Sequence, residues 1–133
     1  PPFIEDIISE KVATVPLQLV STEKGVSTSE IKNMIMVDYG ESVNSQLLRD
    51  FTDNTQIRHN MSQPRIALNF ILEASGCAYL PKQMCFEHIR KGTLHRIEGA
   101  PEYKRDIYAI YLAKSQKTEI IRHALQLFPY VGS

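Results

Sequence analysis

No sign of charge predominates in this chain of 133 residues: 15 Lys and Arg stand against 15 Asp and Glu. Without a basic excess the segment offers no electrostatic footprint for DNA, RNA or an anionic membrane surface. Cysteine is scarce. Cys77 and Cys85 lie in apolar surroundings and are too few for a disulfide framework. They read as buried thiols of a reducing compartment. The apolar runs are far too short to span a bilayer, and the sequence carries no secretion signal. Chemical motifs are missing as well: there is no G-x-S-x-G turn for a nucleophile, no Walker A loop and no G-x-G-x-x-G. Cys77, Cys85, His88 and His95 follow a C-x7-C-x2-H-x6-H spacing that matches no common zinc pattern. Glu98, Glu102 and Asp106 sit in a charged stretch and read as a solvated face. No catalytic residue, metal or cofactor is expected.

Apolar residues make up 43% of the chain, enough for one domain with a real core. Leu17–Val20 reads as a strand entered through Pro16, followed by a polar linker over 21–28. Ser27 and Glu30 fit a capping box around a short helical turn. Met34–Val37 is a strand of buried type that stops at Asp38-Tyr39-Gly40. Val43, Leu47, Leu48 and Phe51 recur at helical spacing, so 42–52 is an amphipathic helix. A more polar strand spans 57–61. Ser62 is the expected N-cap of the next helix, with Pro64 in its first turn. Residues 63–75 are apolar nearly all round, as in a helix buried between layers.

The stretch EASGCAYLP, residues 73–81, ends that helix. Gly76 is expected to close it in a left-handed cap, Cys77–Leu80 to form a short core strand, and Pro81 to end the strand. A helix near 82–90 follows, with Met84, Cys85 and Ile89 inward and Lys91-Gly92 at its end. Leu94–Ile97 is a short strand, 98–106 a second linker, and Ile107–Leu112 a strong strand. Tyr79, Tyr108 and Tyr111 read as core residues. Ser115 caps a last helix whose apolar face carries Ile120, Ile121, Ala124, Leu125 and Phe128. Strand–helix alternation implies a largely parallel sheet covered by helices. The two linkers bracket a central α/β unit, and the flanks read as part of a second lobe. Two crossings between lobes imply a clamshell with a ligand cleft.

Four stretches, in order, carry a resemblance: LQLVS (17–21), IMVDYG (35–40), MSQPRIALNFILEASGCAYLP (61–81) and the G-T-L…IYAIYL run (92–112). Together they resemble the effector-binding region of LysR-type transcriptional regulators, over about its C-terminal two-thirds. Val37–Gly40 and the Leu94-His95…Tyr108–Ile110 pattern resemble the HdfR-like branch most. The resemblance implies an α/β, periplasmic-binding-protein-like regulatory domain, with one complete lobe and part of the second. Residues 1–26 would be partial lobe I with the first crossover, 27–102 lobe II, and 103–133 the return strand and C-terminal helix of lobe I. It implies a cytoplasmic protein, a small-molecule effector, and self-association to a dimer or tetramer. DNA would be bound only through an N-terminal winged helix-turn-helix that this chain does not contain. The chain, opening Pro1-Pro2 without Met, is read as a piece of a larger protein.

Effector contacts are expected where the resemblance and strand-end chemistry coincide. Asp38, Tyr39, Gly40 and Ser42 follow the carboxyl end of one strand, where open α/β sheets bind ligands. Asn60, Met61, Ser62 and Gln63 end the next strand and open a helix, whose free N–H groups suit an anion. The plainer alternative is that Ser62 only caps its helix and Asp38 only its own turn. Asp38 would repel an anion and suits an amine better. Ser21 and Thr22 start the first crossing and are hinge candidates. A solute-binding protein of a transport system, with the same two-lobe fold, is the alternative function; it would need a secretion signal or lipid anchor upstream.

Overall fold

The computed structural model describes residues 8–51, 57–111, 122–123 and 126–127. The expected C-terminal helix, with Ser115 as its cap, lies outside the described residues apart from isolated positions. Two compact units are present: one made of 1–15 and 105–133, the other of Pro16–Lys104.

The larger unit is built on a mixed sheet in the order β3-β2-β4-β1-β5. Its strands are β1 (Ile8–Ser21), β2 (Met34–Val37), β3 (Ile57–Met61), β4 (Cys77–Pro81) and β5 (His95–Arg96). The β2 strand runs parallel to both β3 and β4, as strand–helix alternation requires. The β1 strand enters antiparallel, Leu17 opposite Pro81 and Ser21 opposite Cys77, and β5 continues antiparallel beyond it. Three helices cover the sheet: α1 (Glu41–Asp50), α2 (Pro64–Ala74) and α3 (Lys82–Lys91). The core is continuous between the layers, with Leu17, Val20, Met34, Ile35, Leu68, Ile71, Leu80 and Leu94 almost wholly buried.

In the smaller unit the first part of β1 pairs with β6 (Tyr103–Tyr111). Thr14 Oγ1 donates to Asp106 Oδ1 at 3.0 Å and the Tyr111 hydroxyl to Glu10 Oε2 at 2.8 Å.

Several elements differ from the sequence reading, each for a local reason. Strand β1 runs straight through Pro16 instead of starting there. Pairing with β4 begins only at Leu17, so the missing Pro16 N–H falls where the strand changes partners. The second linker is shorter than expected, because β6 already starts at Tyr103. Lys104 and Asp106 occupy its exposed positions while Tyr103, Ala109 and Tyr111 point inward. Charges on the open side of a period-2 pattern disguise the strand as a loop. The same alternation leaves Tyr108 58% exposed, against the expectation of a core residue.

Helix α2 is buried along one face only, by Ala67, Leu68 and Ile71, while Ile66 and Leu72 reach solvent. Its N-cap is Gln63, not Ser62. Proline at the first helical position bars the residue before it from helical angles, and Gln63 is extended at φ −132°, ψ 137°. At the other end the residue with φ +67° is Ser75, and Gly76 serves another need. A Cβ on Gly76 would sit 2.9 Å from the Asn33 carbonyl oxygen and 3.3 Å from Ile71 Cγ2. The glycine is there for close approach of two backbones, not for the cap. The Ser27 hydroxyl reaches the Glu30 carboxylate at 2.7 Å, side chain to side chain, over a single 3₁₀ turn (Thr28–Glu30). Gly92 does adopt the left-handed cap, with its N–H shared by the His88 and Ile89 carbonyls.

Candidate functional site

The parallel strands β2 and β3 end side by side, Val37 opposite Met61. The Asp38 N–H extends the ladder one step, donating to Met61 O at 3.0 Å. The chain must then turn sharply into α1, and Gly40 takes φ +93° to do so. Gly40 brings no side chain to cap the helix. Asp38 braces the turn before it: its Oδ1 accepts from the Gly40 N–H at 3.0 Å and from Asn44 Nδ2 at 2.9 Å. Asn44 Oδ1 in turn accepts from the Tyr39 N–H at 3.1 Å. Asp38 and Asn44 thus brace one loop from both ends.

Beside this brace lies a cavity of about 360 Å³ lined by Met36, Asp38, Asn44, Asn60, Met61 and Ser62. The size falls within the range of small-molecule sites. Two thioethers give a pliable apolar lining. Carboxylate, amide and hydroxyl groups supply directional contacts, and among the described lining residues Asp38 alone is formally charged.

Of the eight residues singled out from the sequence, Asp38, Asn60, Met61 and Ser62 line this cavity. Tyr39 turns away: it is buried, and its hydroxyl donates to Tyr79 O at 2.6 Å. Gly40 shapes the turn. Ser42 lies exposed in the first turn of α1, its carbonyl accepting from Gln46 Nε2 at 3.2 Å. Gln63 caps α2, where Pro64 removes one of the N–H groups an anion would use. Met36 and Asn44 complete the cavity and were missed. Met36 was legible as the strand position facing away from its buried neighbours Ile35 and Val37. Asn44, six residues beyond Asp38, has no sequence signature. Ser21 is buried with its Oγ accepting from the Glu23 N–H at 3.0 Å. Thr22 is tied to Gly76 by backbone and side chain: its N–H donates to Gly76 O at 3.0 Å, and its Oγ1 accepts from the Gly76 N–H at 3.0 Å.

The two cysteines are buried and free. Burial pushes the Cys77 thiol up to about 11, a hydrogen bond to the Asn33 carbonyl opposing. Burial pushes Cys85 up to about 12, opposed by Gln18. A folded pKa above the ordinary 9.0 favours the neutral thiol. That stability is fully present below pH 9 and is lost as pH rises through 11 and 12. With reductant present, the urea midpoint should hold steady between about pH 7 and 9 and then fall. Both thiols should react with a disulfide reagent near pH 8 at least about tenfold more slowly in the folded chain than in urea. Equal rates would show that burial does not control these thiols. Among the described residues no group of three or more His, Cys, Asp and Glu converges as a metal site, and no helix is long and apolar enough to cross a membrane.

No protein-family model matches the sequence, and a search of curated proteins finds no match. Solved structures do match. The regulatory domain of HypT from Salmonella typhimurium superposes with a TM-score of 0.68 at 16% identity, over 91% of this chain and 64% of that one. The chain has the fold of a LysR-type regulatory domain. Vibrio fischeri DarR, a LysR-type regulator solved with DNA, gives 0.66 at 14% identity, over 86% of this chain and 44% of that one. The regulatory domain of a C227S variant of AphB from Vibrio vulnificus gives 0.57 at 18% identity, over 91% and 72%. Against full-length HypT, described as a hypochlorite-specific LysR-type transcriptional regulator, the chain spans 46% of the length. These neighbours are LysR-type transcription regulators or their regulatory domains, and they bear on the LysR-type regulatory fold, not on the HdfR-like branch.

Proposed function

We propose that this chain is the effector-sensing part of a LysR-type transcriptional regulator. It takes a small molecule between two lobes, and the Asp38–Ser62 cavity supplies the wall from the second lobe. The observation that carries the reading is the coincidence of the regulatory-domain fold with a cavity at the carboxyl ends of two parallel strands. Ligand binding would bias the domain between states and so reposition DNA-binding domains elsewhere in a longer protein. No reaction is catalysed. Self-association to a dimer or tetramer is part of the same reading, and exposed Tyr108 and Ile110 on β6 offer apolar surface for it.

Asp38 sets the effector class: a neutral or cationic molecule with hydrogen-bonding groups and an apolar body. Screening matched sets of primary amines, amides and carboxylates by thermal shift should return hits among the first two. Asp38→Asn should weaken the amine hits about tenfold, the cost of one charge-assisted contact. Hits confined to carboxylates and indifferent to Asp38→Asn would refute this assignment.

A further inference from the structure

A second concave site lies elsewhere in the larger unit, sharing no residue with the Asp38 cavity. Strand β5 pairs with the end of β1, His95 opposite Ser21 and Arg96 opposite Val20. The chain leaving β1 turns at Gly25, φ +78°, and comes back beside β5. The left-handed turn at Gly92 meanwhile folds Leu94 beneath the last turn of α3. Between these three pieces is a groove of about 490 Å³. Its floor is apolar: Leu94 is wholly buried, and Ile89 and Val26 are half-buried. Its rim carries Lys24, His95, Arg96 and Glu98.

The charges on this rim are unspent. Among the described residues neither Lys24, Arg96 nor Glu98 has an ion-pair partner. By contrast, Lys82 pairs with Glu102 at 2.9 Å and Arg90 with Glu87 at 2.6 Å. The end of α3 does not cancel the positive rim. Its His88 carbonyl accepts from the Thr93 and Leu94 N–H groups, and Arg90 and Lys91 stand in the last turn. Lys24 and Arg96 against Glu98 leave an excess of one cation on the rim, over an apolar floor.

We propose that this groove is a second ligand site, for a small organic monoanion with an apolar body. The carboxylate or equivalent lies between Lys24 and Arg96, and the body rests on Leu94, Ile89 and Val26. Glu98 excludes polyanions, which sets the site apart from one for phosphate or nucleic acid. The groove volume suits a small molecule.

Amide NMR titration of the chain with sodium benzoate tests this, with benzylamine and inorganic phosphate in parallel at constant ionic strength. Benzoate should shift the amides of Gly25, Val26 and Leu94–Arg96 saturably, with a dissociation constant of about 1 mM. Benzylamine and phosphate should not. Lys24→Gln and Arg96→Gln, both at exposed positions, should each weaken benzoate about tenfold. Glu98→Gln should let phosphate bind. Overlay of the unliganded spectra establishes that the variants are folded. Non-saturable shifts, an equal response to benzylamine, benzoate shifts confined to the Asp38–Ser62 cavity, or unchanged affinity in the Lys24→Gln, Arg96→Gln double variant would each overturn the assignment. None of these results depends on the effector reading of the other cavity.

Discussion

Replacing Tyr79 with alanine is expected to cost about 4 kcal/mol of stability, the upper range for loss of a buried aromatic ring. Tyr79 stands in β4 between β2 and β1 and is 1% exposed. Its ring meets Phe51 edge-on at 5.9 Å and Tyr103 at 4.8 Å. Its hydroxyl donates to Pro101 O at 2.7 Å, and its backbone carbonyl accepts from Tyr39. Tyr103 continues the chain of contacts, donating to Asp50 Oδ2 at 2.6 Å. One side chain therefore ties the segment before β6 to the sheet and, through its ring contacts, to the end of α1. Tyr79→Phe keeps the ring and loses the hydroxyl; because Pro101 is exposed and can turn to water, the loss should be about 1 kcal/mol. Urea denaturation separates the two. Equal losses in both variants would place the energy in the hydrogen bond and contradict the packing account. Burial raises the phenol pKa of both Tyr79 and Tyr103, so they hold the fold below about pH 10 and add to its loss above.

Gly76→Ala comes next, with an expected cost of about 3 kcal/mol from overpacking and a disfavoured backbone. The added methyl would meet the Asn33 carbonyl oxygen, and backbone cannot swing aside as a side chain can. The same residue holds the end of β1, because its N–H and C=O both bond to Thr22. Adjacent Ser75 gives the opposite sign. It occupies φ +67°, ψ 154°, a region that glycine tolerates, so Ser75→Gly should stabilise by about 1 kcal/mol. Denaturant midpoints for the two single variants check both signs. A stabilising Gly76→Ala would mean that β2 and the end of α2 do not approach as closely as described.

Much of this fold was legible because its signals are local. The four-residue apolar run 34–37, the alternation of strand and helix, and the glycine at 92 each point to one structure and agree with one another. Pro16 and the charged opening of β6 misled because both are tolerated only by pairing far away in sequence, which no window displays. Gly76 was recognised as necessary, yet its reason lies 43 residues away at Asn33. The candidate cavity was half legible for the same reason. Strand ends are predictable and drew attention to Asp38 and Asn60–Ser62. Which of their neighbours face the cavity depends on the Asp38–Asn44 brace, a contact between side chains. Tyr39 belonged to the right turn and, by the period of the chain, to the wrong side of it.

The central proposal is that the chain senses for a DNA-binding protein. Intact mass and N-terminal peptide sequence of the native protein in its source cell test it most directly. By proportion to full-length HypT, of which this chain covers 46%, the native chain should be about twice this length. It should open with a helix-turn-helix. A native chain that instead opens with a secretion signal would contradict the account and turn the Asp38 cavity into the site of a solute carrier.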